Sequence, residues 1–210
     1  MNELAQVLPI GDPSAISQAD NLIRSGEVIA FPTDTVYGIG ASAFQREAIE
    51  KIYQIKDRSH LKAIPILVAD PADLQRITPP LSPTARRLVN RFWPGALTLV
   101  LPILPSLPRI LSPTPTIGVR IPDHTTVREL LRVVGPLAAT SANLSGDNPA
   151  LNADQVEANL GSRIQLILDG GKVPGGIPST VVDCSGDQPV LLREGPLSWG
   201  EITDFLDIHS

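Results

Sequence analysis

Apolar residues recur along this chain in two alternating patterns, and together they predict its elements. Continuous apolar runs, typical of buried strands, occupy Val28–Phe31, Ile64–Ala69, Ala96–Leu101, Ile117–Ile121, Leu137–Thr140 and Ile164–Leu168. Helical spacing occupies the stretches between Asp12 and Gly26, Arg46–Ile55, Ser82 to Trp93, Thr125–Val134 and Asn152–Leu160. Strands that alternate with helices predict an α/β fold.

Capping signals set the expected helix starts. Proline follows a capping side chain at Asp12-Pro13, Asp70-Pro71 and Ser82-Pro83. Asn152 is the cap of a later helix, and Ser198 with Glu201 forms a capping box for a terminal one.

Loops and late strands complete the outline. Two turn-rich stretches, Pro32–Gly40 and Pro102 to Pro115, are expected to be loops. Thr180–Cys184 and Val190–Arg193 are expected to pair late in the chain, which predicts a mixed rather than a purely parallel sheet. With no repeat or long linker, residues 1–210 are predicted to form a single domain.

Composition and charge exclude several classes of protein. The net charge of −5 argues against a general nucleic-acid coat or a binder of anionic membranes. No stretch approaches the roughly 18 apolar residues of a membrane span, and the N-terminus has no basic signal region. The single cysteine, Cys184, excludes an internal disulfide, and His60, His124 and His209 are too scattered for a metal cluster. We therefore expect a cytoplasmic protein without a metal site of its own.

Common nucleotide motifs are absent. A P-loop would need glycine at Leu166 and Ser or Thr at Val173, and a dinucleotide loop would need glycine at Ala43. The chain also has no HExxH and no GxSxG pattern.

Polar residues instead collect where predicted strands end. Thr33, Asp34 and Thr35 follow one strand directly, and ligands usually bind at strand ends of α/β sheets. Ser141 and Asn143 follow another strand. A turn whose side chains bond their own backbone explains both groups equally well.

Cations accompany these polar groups. Lys51, Lys56, Arg58, His60 and Lys62 form a basic run, and Lys56 with Arg58 suits a polyphosphate. A solvated helix end is the alternative interpretation of this run.

Two further arginines are candidate cations of the same site. Arg120 lies inside an apolar strand, where it needs either a carboxylate of the protein or a ligand anion. Ser179 and Thr180 precede a strand, and Arg193 ends the next one. Together these groups predict one site for an anionic, polar ligand.

Six motifs in order carry a family resemblance: Phe31–Gly38, Lys56-x-Arg58, Gly118–Pro122, Ser141-x-Asn143, Ser179–Asp183 and Leu192-Arg193. In these motifs the chain resembles the YrdC family, the threonylcarbamoyl-AMP synthases, over roughly residues 12–207.

The resemblance implies a nucleotidyltransferase that combines L-threonine, bicarbonate and ATP into L-threonylcarbamoyl-adenylate and pyrophosphate. It implies a twisted mixed sheet with flanking helices around a positively charged cavity. The product would pass to the machinery that makes threonylcarbamoyladenosine in tRNA, with a weak tRNA contact as a further expectation. Magnesium would be held mainly by the phosphates of ATP.

Matched positions imply the site residues. The nucleotide side is expected to comprise Lys56, Arg58, Lys62, Ser141, Asn143 and Arg193, with Lys56 and Arg58 as catalytic cations. The threonine side is expected to comprise Thr35, Arg120, Ser179 and Thr180.

Two departures from the family keep alternatives open. Ser59–Ala63 replaces the usual loop after the arginine, and Thr140 replaces a proline before Ser141. An RNA-binding module and a paralogue that acts on another acceptor are the alternative functions. In the family that the chain resembles, longer members carry a second C-terminal domain, and we expect no room for it in these 210 residues.

Overall fold

A computed structural model describes residues 4–174 and 176–208 of the chain. Its strands are β1 (Gln6–Pro9), β2 (Ile29–Phe31), β3 (Gly38–Ser42), β4 (Ile66–Leu67), β5 (Leu97–Pro102), β6 (Thr116–Arg120), β7 (Leu137–Ser141), β8 (Leu166–Asp169), β9 (Thr180–Asp183) and β10 (Val190–Arg193). Its helices are α1 (Ala15–Arg24), α2 (Arg46–Ile55), α3 (Pro83–Phe92), α4 (Thr125–Val134), α5 (Ala153–Leu160) and α6 (Trp199–Ile208), with 3₁₀ turns at Pro71–Arg76 and Arg109–Leu111. His209 lies outside the described residues.

The strands form one mixed sheet in the order β1-β8-β2-β3-β7-β4-β6-β5-β9-β10. β8 runs parallel to β1 and β2, whereas β3 is antiparallel to both β2 and β7. β5 is antiparallel to β6 and parallel to β9. The predicted α/β class and mixed sheet are therefore confirmed.

Helices cover both faces of this sheet. The apolar sides of α1 and α4 pack with Phe31, Leu67 and Ala139 on one face. The buried residues of α2, α3, α5 and α6 belong to the larger cluster on the other face.

Most capping predictions are confirmed. The Asn152 carboxamide oxygen accepts from the amide of Gln155 at 2.9 Å. The Ser198 amide donates to Glu201 at 3.0 Å, while the Glu201 amide donates back to the Ser198 hydroxyl at 3.2 Å. These bonds satisfy amides that have no partner in the first helical turn.

The start of α1 differs from the prediction. Its cap is Ser14, not Asp12, and the helix begins at Ala15. The Asp12 carboxylate accepts from the amide and the hydroxyl of Ser14, both at 2.7 Å, so it stabilises the turn before the helix. The Asp70-Pro71 signal likewise opens only the short 3₁₀ turn Pro71–Arg76.

Two strands of the structure, β3 and β1, are not predicted by the sequence patterns. The predicted Pro32–Gly40 loop is wrong at its end, because Gly38–Ser42 forms β3. Glycine normally disfavours a strand, but a Cβ at Gly40 would stand 3.0 Å from the Phe31 ring, so only glycine fits without a shift. β1 lies at an edge and is mostly exposed, so it shows no apolar run.

Candidate functional site

A cavity of about 380 Å³ lies on the face of the sheet that also carries α1 and α4. This volume is within the range of small-molecule sites. Its walls come from the middle strands and the loops between them: Thr33, Thr35, Val36, Gly38, Arg58, Ala63, Pro65, Leu67, Thr98, Val100, Gly118, Arg120, Ala139, Thr140, Ser141, Pro178, Ser179, Val181 and Arg193.

Small side chains on neighbouring strands keep this part of the sheet open. Gly38 pairs with Ser141, and Gly118 pairs with Val100. A Cβ at Gly118 would stand 3.1 Å from the methyl group of Thr98 and 3.4 Å from Pro65. The strands therefore form a floor on which a ligand can lie close to the backbone.

Arg120 is anchored in that floor and is only 6% exposed. Its guanidinium donates to the Asp34 carboxylate at 2.6 Å, to the Thr35 hydroxyl at 2.9 Å and to the Gly95 carbonyl at 2.8 Å. Burial lowers the pKa of Arg120, and the Asp34 charge opposes that shift. The sequence left open whether a carboxylate of the protein or a ligand anion pairs with this cation, and the structure places Asp34 there.

The loop before β3 holds its hydroxyls inward. The Thr33 hydroxyl donates to the Val36 carbonyl at 2.7 Å and lies 3.0 Å from the Thr35 hydroxyl. The turn interpretation is therefore confirmed for Thr33. Thr35 has a second role, because its hydroxyl lies between Thr33 and Arg120 at the cavity wall.

Arg193 approaches the cavity from β10. Its guanidinium donates to the Ser179 carbonyl at 2.8 and 3.1 Å, and the Ser179 hydroxyl lies 2.8 Å from that of Thr98. Burial and the positive charge of Arg120 lower the pKa of Arg193. The two guanidinium groups therefore repel each other across the site.

Arg58 is a third arginine of the cavity wall. Its side chain donates to the carbonyls of Ala63 at 2.8 Å and Lys62 at 3.3 Å, and so closes the divergent Ser59–Ala63 loop. Burial lowers the pKa of this guanidinium. The side chain of Lys62 is exposed and is not part of the cavity wall.

Lys56 and Asn143 lie behind the wall and contact each other. The Lys56 side chain is 1% exposed, and its ammonium donates to the main-chain carbonyls of Ser141 and Asn143. Burial, followed by the nearby Arg58 charge, lowers the pKa of Lys56 to about 8.

Asn143 stabilises the turn after β7. Its amide nitrogen donates to the carbonyls of Leu144 at 2.6 Å and Asp147 at 2.9 Å. Its buried Oδ1 has no hydrogen-bond partner among the described residues. Neither Asn143 nor Lys56 contributes to the cavity wall.

Thr180 is fully buried beside the cavity. Its hydroxyl donates to the Leu197 carbonyl at 2.5 Å and accepts from the Gly195 amide at 3.0 Å. The structure thus brings six predicted site residues to the cavity wall: Thr35, Arg58, Arg120, Ser141, Ser179 and Arg193. It places the other four outside that wall: Lys56, Lys62, Asn143 and Thr180.

Two residues of this site have no role assigned from the sequence. Asp34 is placed by the sequence in a polar loop at a strand end, and the structure shows that it is the partner of Arg120. Thr98 is part of the cavity wall, and the signal for it is a lone hydroxyl within the apolar run Ala96–Leu101.

Residues 4–174 and 176–208 contain no cluster of three or more histidine, cysteine, aspartate or glutamate side chains arranged to hold a metal ion. Among the same residues, no helix combines the length and apolar character needed to span a membrane.

The mixed sheet and its cavity define an α/β protein with a cavity of small-molecule size, whose wall carries arginine and hydroxyl side chains. A family model described as "Telomere recombination", which covers the Sua5, YciO and YrdC proteins, matches residues 21–195. The chain belongs to this family, so the resemblance in its motifs is confirmed.

Two relatives show the extent of the similarity. Threonylcarbamoyl-AMP synthase of Bacillus subtilis is 43% identical over 203 residues, which are 95% of this chain and 58% of the relative. The putative threonylcarbamoyl-AMP synthase of Mycobacterium tuberculosis H37Rv is 38% identical over 196 residues, which are 93% and 90% of the two chains. The chain therefore spans less than two thirds of the first relative and most of the second.

Solved structures agree with this assignment. Sua5 of P. abyssi, complexed with L-threonine, has a TM-score of 0.89 and 38% identity over 91% of this chain and 57% of its own. E. coli YciO has a TM-score of 0.86 and 28% identity over 95% and 100% of the two chains.

Proposed function

We propose that the chain is an L-threonylcarbamoyladenylate synthase, which forms threonylcarbamoyl-AMP and pyrophosphate from L-threonine, bicarbonate and ATP. The observation that carries the proposal is the convergence of Arg58, Arg120 and Arg193, from three distant stretches, on one cavity. The names of the relatives and the threonine complex of the P. abyssi protein support the same reaction.

Charge favours a polyanionic ligand in this cavity. The charged residues of its wall are three arginines, and Asp34 neutralises one of them. Arg58 and Arg193 are proposed to bind the phosphates of ATP, since guanidinium groups bind phosphate in a bidentate manner. Burial first, and the charge of Arg120 second, lower the pKa of Arg193, and a bound phosphate group would offset both effects.

The hydroxyl groups of the wall are assigned to the two parts of the site, one for the nucleotide and one for the amino acid. Ser141 is proposed to contact the nucleotide, while Thr35, Arg120 and Ser179 hold L-threonine. The assignments of Lys62 and Asn143 to ATP and of Thr180 to threonine stay predictions.

The reaction mainly requires that the reactants are positioned and that the negative charge developing on the phosphates is stabilised. A carbamate oxygen of the threonine adduct attacks the α-phosphorus, a new P–O bond forms, and pyrophosphate leaves with the electron pair of the broken bond. Fixed arginines stabilise the developing charge without reorganisation. The wall offers guanidinium and hydroxyl groups, which suit phosphate oxygens, so magnesium is proposed to enter with ATP and to be held mainly by its phosphates.

The biological setting is part of the same proposal. The product would be handed to the tRNA-modifying machinery of the cytoplasm, where it supplies the threonylcarbamoyl group of threonylcarbamoyladenosine. Bicarbonate and L-threonine are then the small-molecule partners of the site.

A pyrophosphate-release assay tests this function. The protein is incubated with ATP, magnesium and bicarbonate, with and without each of a panel of amino acids. Release that depends on L-threonine is expected, and Arg193→Met is expected to reduce it at least tenfold. Arg24→Met, at an exposed ion pair on α1, is the matched control.

The panel also separates the alternatives. Release with another amino acid instead of threonine would indicate a paralogue. Salt-dependent tRNA binding without any release would indicate an RNA-binding module.

A further inference from the structure

We propose that Lys56 is a positioning residue, which holds the turn after β7 in the shape that presents Ser141 to the nucleotide, and does not bind phosphate itself. This inference rests on the proposed ATP-dependent function. It concerns a lysine that the sequence assigned to the phosphates and that the structure places behind the cavity wall.

Three hydrogen bonds join Lys56 to this turn. The ammonium donates to the carbonyl oxygens of Ser141 and Asn143. The carbonyl of Lys56 accepts from the Ser145 amide at 3.0 Å. Both ends of the residue therefore contact the segment 141–145, and the end of α2 is fixed against the end of β7.

The same segment is held from its other side. The Ala142 amide donates to the Tyr37 carbonyl at 2.8 Å, and the Asn143 amide donates to the Ser141 carbonyl at 3.0 Å. The Asn143 side chain closes the turn through Leu144 and Asp147. Lys56 supplies the one ammonium group in this set of contacts: it is a second donor to the Ser141 carbonyl, and it donates to the buried Asn143 carbonyl.

Burial separates Lys56 from a ligand in the cavity. Its side chain is 1% exposed and forms no part of the wall, whereas Ser141 and Arg58 do. Two of the three N–H groups of the ammonium donate to the carbonyls of Ser141 and Asn143, and a direct phosphate contact would require the ammonium to exchange its buried position for one at the wall. The cations at the wall, Arg58 and Arg193, make that exchange unnecessary.

The two possible roles of Lys56, binding phosphate and positioning the turn, predict different losses of affinity for charged and uncharged ligands. If Lys56 binds phosphate, removal of its charge weakens the binding of ATP but not the binding of uncharged adenosine. If Lys56 is a positioning residue that acts through Ser141, its removal weakens the binding of both ligands by a similar factor. Coupling is a second difference, because two residues that act through one contact show non-additive effects.

The experiment measures, by calorimetry, binding of ATP and of adenosine to the wild type and to Lys56→Met. The control is Lys51→Met, on the helix α2 that ends just before Lys56. Lys51 forms a partly exposed ion pair with Glu27, so its variant should bind both ligands as the wild type does. Lys56→Met is expected to weaken both ligands by a similar factor of about ten. Arg58→Met should weaken ATP and leave adenosine nearly unchanged.

A double-mutant cycle and hydrogen exchange complete the test. Once Ser141→Ala is present, Lys56→Met should weaken adenosine by much less than tenfold. Amide hydrogens of residues 141–145 should exchange faster in Lys56→Met than in the wild type. In Lys51→Met they should exchange at the wild-type rate. If Lys56→Met does not fold, Lys56→Arg, which keeps a buried donor, supplies the same comparison between ATP and adenosine.

The opposite results overturn the inference. Loss confined to ATP, or exchange at 141–145 equal to that of the wild type, would mean that Lys56 does not act through the turn. Absence of ATP binding by the wild type would instead count against the proposed function, and the exchange measurement would still decide the role of Lys56.

Discussion

Asp34 and Arg120 are 86 positions apart in sequence, and the carboxylate of the first accepts a hydrogen bond of 2.6 Å from the guanidinium of the second. The pair joins the loop before β3 to the end of β6 at the cavity floor. It orients Arg120 so that another of its donors bonds the Thr35 hydroxyl. Any anionic ligand at this floor therefore meets a guanidinium whose direction the protein has already set.

Removal of the Asp34 carboxylate should destabilise the protein. Asp34→Ala leaves the buried Arg120 cation without its counter-charge, and we expect a loss of about 3 kcal/mol in the free energy of unfolding. Urea titration at pH 7 measures this loss. Asp20→Ala removes an exposed ion pair and should cost roughly 0.5 kcal/mol. Equal losses in the two variants would show that the Asp34–Arg120 pair contributes no more than a surface contact.

A larger side chain at Gly118 should block the site. Gly118→Val places methyl groups against Thr98 and Pro65 at the cavity floor, where a Cβ alone would already be 3.1 Å from its neighbour. We expect a destabilisation of about 2 kcal/mol from overpacking. We also expect at least a tenfold loss of threonine-dependent pyrophosphate release.

The control for that substitution is Gly186→Val. Gly186 is exposed, and a Cβ there meets no atom within 4 Å. Thermal unfolding and the release assay are measured on both variants. Full activity of Gly118→Val would mean that the ligand does not lie on this part of the floor.

Acid should weaken the protein partly through Asp70. Its hydrogen bonds with Arg132 and Arg128, both 2.8 Å, lower the pKa of the carboxyl group to about 2. A folded-state pKa below the unfolded value of 3.8 means that the stabilisation is present above about pH 4 and is lost as the pH falls toward 2.

Asp70→Asn tests this contribution by urea unfolding at pH 7, 4 and 2.5. Because the carboxylate is 37% exposed, solvent screening limits the expected loss at pH 7 to roughly 1 kcal/mol. The variant should then lose less stability than the wild type between pH 4 and 2.5. Parallel losses over that interval would exclude Asp70 as a source of the acid sensitivity.

Cys184 should be inert in the folded protein. Burial, reinforced by the charge of Asp183, raises the pKa of its thiol to about 12, and the thiolate is the reactive form. A thiol reagent at pH 8 should not label the native chain, whereas one equivalent should react in denaturant. Labelling of the native chain at the rate of the unfolded chain would contradict the buried placement.

Much of the fold could be predicted because its signals are local. The Asn152 cap and the Ser198–Glu201 box depend on residues within one helical turn, and both are confirmed. The apolar run Ile117–Ile121 is buried along its length, as a central strand requires. The pattern predicts a loop up to Gly40, whereas Gly38–Ser42 is a strand, because this strand depends on Phe31 and β7, which only folding brings beside it.

The amino-acid sequence by itself determined the α/β class, most element positions and the identity of the polar and cationic groups, since periodicity, caps and motifs are properties of neighbouring residues. Only the tertiary structure decided which of those groups meet at the cavity. It set Arg58, Arg120 and Arg193 around one volume, and it turned the Lys56 ammonium away to the carbonyls behind the wall. The physical reason is that strand order and register, together with the competition of buried carbonyls for an ammonium group, arise from contacts between distant segments.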